Sequence, residues 1–155
     1  MAENHGECVC FSGHRRLYDP VEKLRNGVES VLLRLFETGV HVCICGGAAG
    51  FDLLCGERVL SLMERGVPLR LVMAIPCPEQ AKYFSPSDRM RYERLCAAAE
   101  CVTVSDRYTR WCMQKRNQYM VDRAEYLLCY LRERGGGTFQ TRAYAEMKNR
   151  QILDL

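Results

Sequence analysis

The residues best able to meet a ligand fall in three short stretches. Ser12-Gly13-His14-Arg15 sets a hydroxyl, an imidazole and a guanidinium in near succession. Gly46-Gly47-Ala48-Ala49-Gly50 is a glycine turn with a carboxylate, Asp52, two residues on. Gly135-Gly136-Gly137 is a second such turn, followed by the hydroxyls of Thr138 and Thr141. In the first turn, Gly46, Gly47 and Gly50 let the chain bend sharply and let a phosphate or ribose come close with no Cβ in the way. The alternative is a tight strand-to-helix connection with no ligand. In the second turn, flexible backbone N–H donors and two hydroxyls suit an anion. Asp52 either accepts from ribose hydroxyls or complements a helix dipole. His14 and Arg15 either meet a base and a phosphate or form a loop cation with no ligand. The Gly-x-x-x-x-Gly-Lys-Ser/Thr pattern is absent, which disfavours nucleoside triphosphate hydrolysis.

These stretches act together only if the fold brings them to one edge. Apolar runs at 7–11, 41–45, 69–75, 101–105 and 126–131 are short, rich in Val, Ile, Leu, Cys or Tyr, and read as five strands. Amphipathic segments alternate with them, the pattern of a mostly parallel sheet covered by helices on both faces, a three-layer Rossmann-like α/β fold. A first helix is predicted over 20–38, with Asp19 as N-cap, Gly39 as its stop and Val21, Leu24, Val28, Val31 and Leu35 facing inward. Further helices are predicted over 51–65, 86–99, 110–124 and 138–150, with an irregular stretch opened by Pro76 and Pro78 that suits a lid. In a parallel sheet all strand-to-helix turns share one edge, so the three stretches are expected to converge there. On the fourth helix Asn117 shares the inward stripe of Met113, Met120, Val121 and Ala124; it reads a base or ribose, or ties down a loop. Arg116 beside it either meets phosphate or lies on a solvated face. Tyr83 and Phe84, in the irregular stretch with Gln80, either stack on a base or pack a loop.

A chain of 155 residues, 48% hydrophobic and 26% charged, fits one globular domain over 1–155. No apolar run nears the roughly 20 residues that span a bilayer, and the polar first residues lack the features of a signal peptide, so a cytoplasmic protein is expected. The net charge of +3 is scattered among acids and argues against nucleic acid as a partner. None of the ten cysteines stands in a Cys-x-x-Cys pair, so no metal is expected. Cys8 with Cys10, and Cys43 with Cys45, alternate along strands and are expected to pack as reduced, small hydrophobes.

In combination these stretches resemble the YpsA-like branch of the SLOG superfamily, a Rossmann-like group that includes the LOG phosphoribohydrolases and DprA. The resemblance covers nearly the whole chain. It rests on Ser12-Gly13-His14-Arg15, Gly46-Gly47-x-x-Gly50-x-Asp52, Ile75-Pro76 with Gln80, Arg116-Asn117 with Tyr119-Met120-Val121-Asp122, and Gly136-Gly137-Thr138-x-x-Thr141 with Tyr144-Ala145. One departure is Arg16, where the family tends to carry proline. The resemblance implies a nucleotide-binding domain whose pocket uses these positions, Pro76 and Gln80 included, and a homodimer or homotetramer. It also implies a choice between two roles. One is a sensor or sequestering protein for a nucleotide or an NAD- or ADP-ribose-derived ligand, cyclic forms included, in bacterial signalling or phage defence. The other is a nucleoside monophosphate phosphoribohydrolase, with single-stranded DNA binding of the DprA kind a more distant third. LOG hydrolases place a catalytic glutamate where this chain has Thr141, and a hydroxyl cannot activate water as a carboxylate does. Asp52 and Glu57 are the carboxylates left to substitute. Binding is therefore the favoured expectation, with no cofactor required.

Overall fold

Six parallel strands and five helices alternate along the described residues. The computed structural model describes residues 5–155. After a 3-10 turn at His5–Glu7 come β1 (Cys8–Gly13), α1 (Val21–Glu37), β2 (Val42–Cys45), α2 (Phe51–Glu64), β3 (Arg70–Ile75) and α3 (Pro86–Ala98). Then follow β4 (Glu100–Thr103), α4 (Cys112–Arg123), β5 (Tyr126–Tyr130), α5 (Gly136–Met147) and β6 (Gln151–Asp154). The strands lie in one sheet of order β4-β3-β2-β1-β5-β6, and every neighbouring pair is parallel. The order grows outward in one direction from β1 to β4 and in the other from β5 to β6. The reversal opens a crevice above the C-terminal ends of β1 and β5, where ligands bind in open α/β sheets.

Strand alternation sorts the core into two layers. Val9, Phe11, Cys43, Cys45, Leu71, Met73, Leu128 and Tyr130 meet α1, α2 and α3 on one face. Cys10, Val42, Ile44, Ala74, Leu127 and Cys129 meet α4 and α5 on the other. Each cysteine pair thus shares a face, as period two requires. Seven of the ten thiols are buried, and only Cys101 is exposed. Desolvation pushes the Cys10, Cys43 and Cys45 thiols up, so they remain neutral, small apolar groups.

Local sequence fixes most boundaries. Gly39 and Gly66 end α1 and α2 with positive φ, each followed by a residue whose N–H reaches back to a carbonyl of the last turn. Ser85 caps α3 by accepting from the Asp88 N–H at 3.1 Å, with Pro86 at the first helical position. Three expectations need correction. Asp19 does not cap α1: Pro20 holds the cap position, and the Asp19 carboxylate instead accepts from the Tyr130 hydroxyl at 2.6 Å and pairs with Arg132. Val21 is exposed and Leu32 takes its place inside. The last helix begins at Gly136 and stops at Met147; Asn149 turns the chain with φ 59° into a sixth strand.

Candidate functional site

Between α5, α4 and the ends of β1 and β2 lies a cavity of about 390 Å³. Its floor is Ser12 and Gly13 at the end of β1, one wall is Asp52 and Ala48, another is Arg116, Asn117 and Met113 of α4, and its rim is the turn from Glu133 to Thr138. It therefore sits at the crevice the sheet order creates.

The two glycine turns do different work. In the first, two backbone donors at the start of α2 are already engaged: the Phe51 N–H donates to the His14 carbonyl at 3.1 Å and the Leu53 N–H to that of Ala48 at 3.2 Å. A Cβ on Gly46 would lie 2.8 Å from the Arg116 guanidinium, and one on Gly47 would lie 2.8 Å from the Met73 methyl, against Tyr92. Gly50 lets the Arg15 backbone cross close above it; a Cβ there would lie 2.2 Å from the Arg15 carbonyl oxygen. Gly46, Gly47 and Gly50 are thus needed for close packing of protein against protein, and none of them lines the cavity. The second turn is open. Gly135 and Gly136 adopt positive φ, and a Cβ on any of Gly135, Gly136 or Gly137 would meet nothing within 4 Å. Among the described residues, the N–H groups of Gly136, Gly137 and Thr138 have no acceptor. They point a helix N-terminus at the cavity, where an anion is favoured.

His14 lines the cavity and holds the chain leading into that turn. Its Nε2 accepts from the Arg132 N–H at 2.8 Å and faces that of Glu133 at 3.2 Å, so this nitrogen is engaged by the protein rather than free for a base or phosphate. Arg15 is exposed at the cavity mouth, and among the described residues its side chain has no hydrogen-bond or ion-pair partner. Arg116 is not on a solvated face. Only 3% exposed, it donates to the Gly46 carbonyl, to the Ala74 carbonyl at 3.4 Å and to Asn117 Oδ1 at 2.8 Å. Gln80 donates to the same Gly46 carbonyl at 2.9 Å, which ties down the stretch expected to be a lid, and neither it nor Pro76 lines the cavity. Thr138 is buried on the rim. The Thr141 hydroxyl donates to the Gly137 carbonyl at 2.8 Å, and the residue lies in the neighbouring groove.

Asp52 carries the strongest chemical signal. It is 5% exposed; Oδ2 faces the Ala48 N–H at a long 3.4 Å, and Oδ1 is buried with no partner. Desolvation raises its pKa to about 6, against the opposing pull of Arg116, the Ala48 N–H and Arg15. An orphaned buried acceptor on a cavity wall is costly unless something donates to it. Glu57, the other carboxylate considered, is paired with Arg91 away from the cavity. Met113, Ala48, Glu133 and Gly135 also line the cavity. Their sequence signals were weak: Met113 reads as core, and Ala48 and Glu133 only by adjacency to the turns.

Comparison with known proteins agrees with this fold. The model of the YspA SLOG family matches residues 14–153, so the chain belongs to that family. It is 28% identical over 116 residues to the SPbeta prophage-derived protein YoqJ of Bacillus subtilis, covering 66% of this chain and 68% of that one. It is 25% identical over 108 residues to a UPF0398 protein of Bacillus licheniformis, covering 68% of this chain and 59% of that protein. Among solved structures, DNA processing protein A from Helicobacter pylori, described in its single-stranded DNA binding mode, superposes with a TM-score of 0.70 at 15% identity. That match covers 97% of this chain and 66% of the other. DNA processing protein A from Streptococcus pneumoniae gives 0.65 at 15% identity, over 94% of this chain and 49% of that one. At such identities the likeness is one of fold. Of the motif residues, Tyr144 and Asp122 meet each other: the Tyr144 hydroxyl donates to Asp122 at 2.7 Å and ties α5 to α4. No helix among the described residues is long and apolar enough to cross a membrane.

Proposed function

We propose that this protein binds a small nucleotide-derived ligand, of the nucleoside monophosphate or ADP-ribose type, and holds it without turning it over. The observation that carries this reading is the pairing across one cavity of an orphaned, buried Asp52 oxygen with the open N-terminus of α5. A ribose hydroxyl donates to the first, a phosphate accepts from the second, and Arg15 at the mouth neutralises the remaining charge. No metal or further cofactor is needed for this binding. Retention without turnover is consistent with Thr141, whose hydroxyl is engaged with its own helix. A sensor or a sequestering protein, in signalling or phage defence, is the role such a module fits.

Calorimetry with nucleoside monophosphates, NAD, ADP-ribose and its cyclic isomers tests this. Saturable heat is expected from at least one of them with the wild type and not with Gly137→Val. Absence of heat from all of them overturns the reading. Release of free base from a bound nucleotide, seen by chromatography, contradicts retention and points to Asp52 as the acid–base group. Single-stranded DNA is a second reading, favoured by the fold of the DNA processing proteins. Against it stands the lining, which offers one free cation, Arg15, rather than a basic track. A salt-sensitive gel shift would support it.

A further inference from the structure

A second depression adjoins the cavity. The groove between α4 and α5 encloses about 450 Å³ and shares Met113, Asn117 and Gly137 with the cavity, so a ligand seated on the Gly136–Thr138 amides has its next atoms at the groove's inner end. The groove's composition differs sharply from the cavity's. Its walls include the Trp111 indole, the Met113 and Met147 thioethers and the carboxamides of Gln114, Gln118 and Gln140. Among the described residues no carboxylate lines it, and its one cation, Arg110, lies with its guanidinium carbon 4.8 Å from the centre of the Trp111 ring. Trp111 and Met147 are 56% and 68% exposed, an apolar surface open to solvent beside the Arg110 guanidinium.

Resting on the function proposed above, we infer that the α4–α5 groove is the base subsite: it takes the planar, uncharged heteroaromatic ring of the ligand whose phosphate sits at α5. A nucleobase has an apolar face and an edge of mixed donors and acceptors. The indole and thioethers supply a stacking surface for the face. Each carboxamide offers a donor and an acceptor side by side, which matches the edge where a charged lining would not. The groove at the opposite side of the cavity, near Tyr83 and Tyr108, is also large but carries Lys82 and Glu79 with Arg15, and Tyr83 is 89% exposed. A lining whose one cation lies against the Trp111 ring, and the continuity through Asn117 and Gly137, favour the α4–α5 side.

The chain has a single tryptophan, so Trp111 is its own probe. The four nucleoside monophosphates and ADP-ribose are titrated beside ribose 5-phosphate, which lacks a base, with emission and heat recorded together. Binding of a base-bearing ligand is expected to change Trp111 emission, and ribose 5-phosphate is expected to leave it unchanged. Trp111→Ala and Met147→Glu are expected to weaken the base-bearing ligand at least tenfold while leaving ribose 5-phosphate affinity as it was. Unchanged emission and unchanged affinity in both variants, with heat still present, overturn the base subsite and leave the proposed function standing. So does a loss of affinity in Tyr83→Ser with Tyr108→Ser instead. A concentration-dependent dimer, broken by Met147→Glu and masking Trp111 from a soluble quencher, overturns it by assigning the groove to a second copy of the chain. Absence of heat from every ligand removes both proposals together.

Discussion

Asp52 shows how a side chain can be legible by type and opaque by environment. Its place two residues beyond a glycine turn marks it in the sequence, but burial, which no local pattern reveals, gives it a pKa of about 6 in place of 3.8. Between those values the folded protein holds a proton that the unfolded chain has released. The resulting stability is complete below about pH 3.8 and lost as pH rises through about 6. Urea denaturation from pH 4 to 7 is expected to show a decline, of which about 1–3 kcal/mol vanishes in Asp52→Asn. On the proposed function ligand affinity is expected to run the opposite way, because a ribose hydroxyl would donate to the ionised oxygen: calorimetry is expected to show a rise from pH 5 to 7 in the wild type, flattened in Asp52→Asn. Cys10, Cys43 and Cys45 were legible, since alternation and apolar neighbours suffice to bury them, whereas Cys8 is half-buried and Cys101 is exposed. Titration with an aromatic disulfide is expected to modify Cys101 quickly, with the seven buried thiols reacting only on unfolding. Arg116 was not legible: three residues after Met113 and four before Met120 it shares their face, but a charge reads as solvated until tertiary contacts place carbonyls around it.

The two glycine turns look alike in sequence and differ in structure because the partners of a turn come from elsewhere in the chain. The first is crowded by Arg116, Met73, Tyr92 and the Arg15 backbone; the second has open space above it. Gly50→Ala, with φ 86° and a Cβ 2.2 Å from a carbonyl oxygen, is expected to lower stability by roughly 2–4 kcal/mol, read by thermal melting. Gly137→Val meets open space, so its melting temperature is expected to stay within a few degrees of wild type while ligand heat is lost. β6 escaped the sequence because Gln151-Ile152-Leu153-Asp154 is four residues long and half-buried, too brief a run to separate from a helix end. It is nonetheless well anchored: Arg142 pairs with Asp154, and the Leu155 N–H donates to the Cys129 carbonyl at 2.9 Å. Removal of residues 151–155 exposes the β5 edge and is expected to cost about 2–4 kcal/mol, with greater aggregation on heating.

At the scale of the molecule, strand–helix alternation was enough to expect parallel strands with their turns on one edge, and the family match over 14–153 agrees with the resemblance read from the motifs. The sheet order was out of reach, because pairing of β1 with β5, more than a hundred residues apart, is a tertiary choice. That choice makes the cavity: it sets the end of β1, with Ser12 and Gly13, beside the turn that follows β5. The two glycine turns thereby separate into one packed against the protein and one that opens on the cavity. Native mass spectrometry of freshly purified wild type and Gly137→Val tests this most directly, with ADP-ribose or a nucleoside monophosphate added to protein that arrives empty. A mass increment matching a nucleotide-derived compound on the wild type, and its absence from an equally folded Gly137→Val, is the predicted result. An increment that persists in Gly137→Val, or a wild type that takes up none of these compounds, would contradict it.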